Sequence, residues 1–166
     1  MCPKRRFLVR SAPSERMDTT AAFTGLRCVD CDAMFDAVET THRCPACGGI
    51  ADATYDYDAI TVTREELASR RNGQFRFTEL LPFVQDTAVT LHEGDTPLIP
   101  APRLADELGV ATVYIKDEGR NPSGTLKDRG QALAMTAAVQ HGAEDVALAS
   151  TGNAGQSAAA YAARAG

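Results

Sequence analysis

Apolar positions in the second half of the chain change period several times, and each change marks an element. Residues 111–115, Ala-Thr-Val-Tyr-Ile, form a β-rich run, and a polar stretch follows. Residues 126–141 are then dense in Ala, Leu and Met, which predicts a helix ended by Gly142. Residues 145–149, Asp-Val-Ala-Leu-Ala, read as a short buried strand, the Ser/Thr/Gly/Asn run after them as a turn, and residues 157–161 as the next helix. Upstream, residues 103–108 read as a short helix stopped by Gly109. Thr63-Arg-Glu-Glu66 has capping-box form and opens another helix, through about Arg71. Phe75, Phe77, Leu80, Leu81 and Phe83 supply apolar anchors for docking on the following domain. Strands and helices alternating at these lengths predict an α/β architecture, a partial three-layer fold whose parallel sheet is covered by helices. The alanine-rich run 158–165 is expected to pack tightly on that sheet.

The first half is organised by cysteine. Four of the five cysteines fall in two Cys-x-x-Cys pairs, Cys28/Cys31 and Cys44/Cys47, and Gly48-Gly49 after the second pair permits close backbone turns. Phe7-Leu8-Val9 is far too short for the apolar core of a secretory signal, so the pairs read as metal ligands in a cytoplasmic protein rather than as disulfides. Two-residue gaps let each knuckle aim two sulfurs at one Zn2+, and four protein ligands leave no position for water, so the zinc is structural. So small a module draws much of its folding free energy from the metal. His42 lies near the second pair and is read as a loop histidine, while Cys2 has no evident partner. Residues 55–58 are expected to close the ribbon with a short strand.

These readings divide the chain into a disordered tail or misassigned start at 1–16, with Met17 as a candidate true start, a zinc ribbon at 17–58, a connecting segment at 59–90, and the first part of a catalytic domain at 91–166. Composition narrows the partners. With 44% hydrophobic and 23% charged residues the chain is that of a soluble globular protein. A net charge of −5 argues against nucleic acid, and no apolar run approaches the roughly 20 residues that span a bilayer.

Chemistry concentrates in Asn121-Pro-Ser-Gly-Thr-Leu-Lys-Asp-Arg-Gly130 and Ser150-Thr-Gly-Asn-Ala-Gly155. Lys127 stands where a turn becomes a helix. An amine there lies near the positive end of the peptide dipole, which disfavours its protonated form, and such an amine can attack a carbonyl to form a Schiff base. Ligands of a parallel sheet collect at the carboxyl ends of its strands, where Lys127 and Asn153 both fall. Ser150, Thr151 and Gly152 precede a helix, so their hydroxyls and N–H groups suit a substrate carboxylate, with a purely structural cap as the alternative. Asp128 and Arg129 read as helix-surface or inter-element salt-bridge residues, and Lys116 and Arg120 as cations that could meet an anionic substrate group.

Together the two motifs resemble the Schiff-base lysine and asparagine loops of the fold type II pyridoxal-phosphate enzymes. Lys127-Asp-Arg-Gly130 after Asn121-Pro-Ser-Gly124 points within that family to the threonine synthase branch, and Gly94-Asp-Thr-Pro-Leu98 is similar to the stretch that opens its catalytic domain. Leu126 departs from the phenylalanine usual there. The resemblance implies pyridoxal 5'-phosphate as cofactor, held by Lys127 as its attachment site and by Asn153 donating to the ring oxygen. It also implies a small amino-acid substrate and conversion of O-phosphohomoserine and water to threonine and phosphate. Serine/threonine dehydration and other β-replacements stay open, as does a zinc-ribbon interaction module with a non-catalytic remnant, and a homodimer of the full-length protein. No glycine-rich phosphate cup occurs in these residues, so the chain is expected to be the N-terminal portion of an enzyme.

Overall fold

The computed structural model describes residues 17–37 and 43–166. The expectations for residues 1–16, including Cys2, and for His42 lie outside the described residues. The cysteine module is a three-stranded antiparallel sheet in the order β2-β1-β3, formed by β1 (Phe23–Cys28), β2 (Met34–Phe35) and β3 (Ala51–Tyr55). Leu26 pairs with Phe35 on one side of β1 and with Ala53 on the other. At Gly25 a Cβ would come within 2.8 Å of the Phe35 carbonyl oxygen, and its φ of 121° lies where side chains are rarely tolerated, so glycine is required for that approach. The closing strand therefore ends where the sequence suggested it would begin, and residues 57–59 are a 3₁₀ turn.

Local signals fix the next elements. Helix α1 (Arg64–Ser69) carries the complete capping box, with Glu66 N donating to Thr63 Oγ1 and Thr63 N to the Glu66 carboxylate. It stops two residues earlier than expected. Helix α2 (Pro102–Leu108) begins on proline and ends on Gly109 at φ 65°, the left-handed conformation that favours glycine. Helix α3 (Lys127–Gln140) ends just before Gly142, at φ 71°. Helix α4 (Asn153–Ala165) starts four residues before the position read from its apolar pattern.

The sheet differs from expectation. Strands β4 (Leu98–Pro100) and β5 (Tyr114–Lys116) pair antiparallel, and every ladder among the described residues is antiparallel. Residues 145–149 carry no regular secondary structure and are exposed, not a buried strand. Alternating Val146 and Leu148 supply the right side chains, but a strand exists only where a neighbour completes its hydrogen bonds, and no such neighbour is present among the described residues.

Small side chains decide where α4 packs. Ala132, Met135, Ala158 and Tyr161 bury one face of α3 against α4, with Phe75 and Val89 closing the cluster, so the alanine-rich run meets a helix rather than a sheet. A second cluster joins Met17, Ala37 and Phe83, with Phe23 and Leu26 from β1 alongside, and Leu133 of α3 touches both clusters. Of the expected anchors, Phe75 and Phe83 are buried, Leu81 packs partly, and Phe77 and Leu80 face solvent.

Candidate active site

Lys127 is the first residue of α3 and Asn153 the first of α4. Both are exposed, and neither side chain has a hydrogen-bond or ion-pair partner among the described residues. The two helix starts are bonded to each other. Asp128 accepts from the Ser123 backbone N–H at 2.7 Å, from the Ser123 hydroxyl, and from the Ser157 hydroxyl at 2.5 Å, while Gln156 Nε2 donates to the Ser123 carbonyl at 2.6 Å. Lysine loop and asparagine loop therefore open onto the same end of the helix pair. Asp128 is wholly buried and has no ion pair among the described residues, which corrects its reading as a surface or salt-bridge residue. Its oxygens are satisfied by three donors instead.

Arg129 is the inter-element salt-bridge residue that the sequence suggested. Its guanidinium meets Glu118 in a two-pronged pair at 2.7 and 2.8 Å. Thr96 donates to Glu118 at 2.7 Å, and Asn121 Nδ2 at 3.0 Å. Arg129 first, with Thr96 and Asn121 helping, holds the Glu118 carboxyl down at about 2 against the cost of burial. Asn121 Oδ1 also accepts from Gly94 N at 2.9 Å, which ties residues 92–97 to the lysine loop. At Gly94 φ is 92° and a Cβ would lie 2.7 Å from Gln74 N. Lys116 donates to the Thr96 carbonyl and Arg120 pairs with Asp117 at 3.3 Å, so neither cation is free at the site.

Beneath the loop, Glu93 is completely buried. It accepts from Tyr161 OH at 2.6 Å, Thr90 Oγ1 at 3.0 Å and Leu91 N at 3.2 Å. Burial first, then the carboxylate, pushes the Tyr161 phenol well above its usual range, so it stays a donor. Ser150 Oγ accepts from Gly155 N at 2.9 Å and Gly152 N at 3.2 Å, capping α4, while Thr151 and Gly152 are exposed. Sequence reasoning missed Glu93 and Asp128 as buried acceptors, and Glu118 as a partly buried one, because key donors (Tyr161, Ser157, Thr96 and Arg129) come from other segments. The nearest usable signal was the Asn121-Pro-Ser-Gly124 turn, closed by Gly124 N donating to Asn121 O at 2.8 Å.

The four cysteine sulfurs lie within 4.8 Å of one another, with Cys28–Cys47 at 3.5 Å and Cys31–Cys44 at 3.7 Å. A disulfide would need about 2.05 Å, whereas the edges of a tetrahedron with bonds of about 2.3 Å to zinc are near 3.8 Å. Asp30 N and Gly49 N point at the Cys28 and Cys47 sulfurs, each at 3.4 Å, as knuckle amides do. The donor set fits a soft dication.

The exposed amine and amide at adjoining helix starts fit a carbonyl cofactor with a ring oxygen. Residues 89–166 match the family model of pyridoxal-phosphate dependent enzymes. Among curated proteins it is similar to threonine synthases. Those of Methanosarcina acetivorans and Methanocaldococcus jannaschii are 40% and 43% identical over 85% and 84% of this chain, and that of Mycobacterium leprae 54% identical over 54% of it. The chain spans about a third of the length of the first two relatives, 35% of each, and 25% of the third.

Proposed function

We propose that this chain supplies the lysine- and asparagine-bearing part of a pyridoxal-phosphate-dependent lyase that converts O-phosphohomoserine and water to threonine and phosphate. The observation that carries this reading is the unpartnered Lys127 amine at the start of one helix, held beside the start of a second helix that carries Asn153. Pyridoxal phosphate, when bound, supplies an electron sink that makes proton removal at the substrate's Cα feasible. Lys127 is the attachment residue. Its Nζ would take and return protons at Cα and the neighbouring carbon of the bound substrate. Asn153 would hold the cofactor by donating its amide N–H to the ring oxygen. Ser150, Thr151 and Gly152 form the turn that receives the substrate carboxylate, with the N–H groups of Asn153 and Ala154 at the start of α4 behind it.

The remaining assignments belong to the same reading. Cys28, Cys31, Cys44 and Cys47 hold a structural Zn2+ in a ribbon that covers residues 17–58, joined by 59–90 to the catalytic portion at 91–166. The protein is cytoplasmic and acts on a small molecule rather than nucleic acid or membrane. No helix among the described residues is long and apolar enough to cross a membrane. A parallel sheet and a homodimer are features of the whole enzyme in this reading.

The test is reduction with borohydride after adding pyridoxal phosphate, followed by peptide mapping. The adduct is expected on Lys127, and Lys127→Ala is expected to remove at least nine-tenths of it, roughly the tenfold loss of a site-specific reaction. An adduct spread over other lysines overturns the attachment site. Phosphate release from O-phosphohomoserine by protein purified from its native source identifies the reaction, whereas 2-oxobutanoate from threonine would assign a dehydratase.

A further inference from the structure

The reading above uses Lys127, Asn153 and the turn at 150–152 but leaves open what fixes their mutual position. Lys127 and Asn153 are exposed, and neither side chain is anchored by contacts of its own among the described residues. Among the described residues, wholly buried Asp128 is bonded to both segments. Its Oδ2 accepts from Ser123 N in the lysine loop, and its Oδ1 accepts from the Ser123 hydroxyl and from the Ser157 hydroxyl on α4. Ser157 is itself fully buried, one residue beyond Gln156, whose side chain holds the Ser123 carbonyl. A buried carboxyl group without an ion pair has only its hydrogen bonds to satisfy its oxygens, so all three donors must stay in place together. Displacing either loop removes a donor from a group that cannot replace it with water.

We propose that Asp128 is a positioning residue that locks the lysine loop in register with the asparagine-bearing helix, so that Lys127 and Asn153 keep one separation. The proposal rests on the function given above for what that register serves, but the register itself is a property of this chain alone. Asp128 does not touch the cofactor or the substrate. It acts through Ser123 on one side and Ser157 on the other.

The test uses the whole chain and three variants, Asp128→Asn, Ser157→Ala and Ser157→Thr. Ser157→Ala deletes one donor on α4, and its effect should appear on the other loop. Exchange of the Ser123 amide hydrogen is expected to accelerate about tenfold, the loss expected of one hydrogen bond, while the Ala137 and Val139 amides at the far end of α3 are unchanged. Ser157→Thr, which keeps the hydroxyl, should restore protection. Trapping of pyridoxal phosphate on Lys127 should fall about tenfold in Asp128→Asn and Ser157→Ala, whereas reductive methylation of Lys127 by formaldehyde, which needs no second loop, should change less than about twofold. If Ser123 exchange in Ser157→Ala matches wild type, or if exchange rises equally at both ends of α3, the proposal is overturned. If wild-type trapping falls on other lysines while the exchange pattern is as expected, the functional reading fails and the register lock stands.

Discussion

Glu118 shows how much one carboxylate can hold at this site. It joins residues 92–97, the Asn121 turn and α3 through Thr96, Asn121 and Arg129. Its carboxyl is held at about 2, below the usual value of roughly 4.3, so its stabilisation is complete above about pH 4.3 and is lost as pH falls through 2. With a fifth to a quarter of the side chain exposed, solvent screening reduces the effect. Glu118→Gln should cost about 1–2 kcal/mol at neutral pH and flatten the loss of stability between about pH 4 and 2, read by urea unfolding across that range. Tyr161→Phe tests the neighbouring acceptor. Removing one of Glu93's donors in a fully buried site should cost about 2 kcal/mol by the same measurement, and an unchanged midpoint would show that Glu93 is satisfied without it. Neither network is legible in the sequence. Glu93, Glu118 and Asp128 look like ordinary surface charges until Tyr161, Arg129 and Ser157 are brought to them by the packing of α3 and α4.

Elements whose causes are local were legible. The capping box at Thr63, the glycine stops at Gly109 and Gly142, the helix that opens on Lys127 and the two cysteine knuckles each follow from neighbouring residues. Elements that need a distant partner were not. Residues 145–149 carry strand-like alternation without a ladder, and residues 111–115 yield a strand only at Tyr114–Lys116, paired with β4. The cysteine module allows an independent check. Crowding of the Cys31 and Cys28 sulfurs outweighs the Gly49 amide and pushes the Cys47 thiol up to about 12, whereas at Cys44 burial is outweighed by the Cys47 and Ala46 amides and the neighbouring thiols, which bring it down to about 7. Four sulfurs this close cannot all ionise without a cation between them. Purified protein should carry one zinc per chain by elemental analysis, and Cys28→Ser should lose it together with the β1–β3 ladder.

The two halves of the molecule are joined by more than the segment between them. Thr20 N donates to Pro82 O, Asp18 N to Gln140 Oε1 at the end of α3, and Leu133 packs into both hydrophobic clusters. One leucine side chain thus belongs to the core under the cysteine sheet and to the core under the helix pair. Its consequence is cooperativity. Heating should produce one calorimetric endotherm rather than two, and a chelator acting on the cysteines should lower the melting temperature of α3 and α4, which bind no metal themselves.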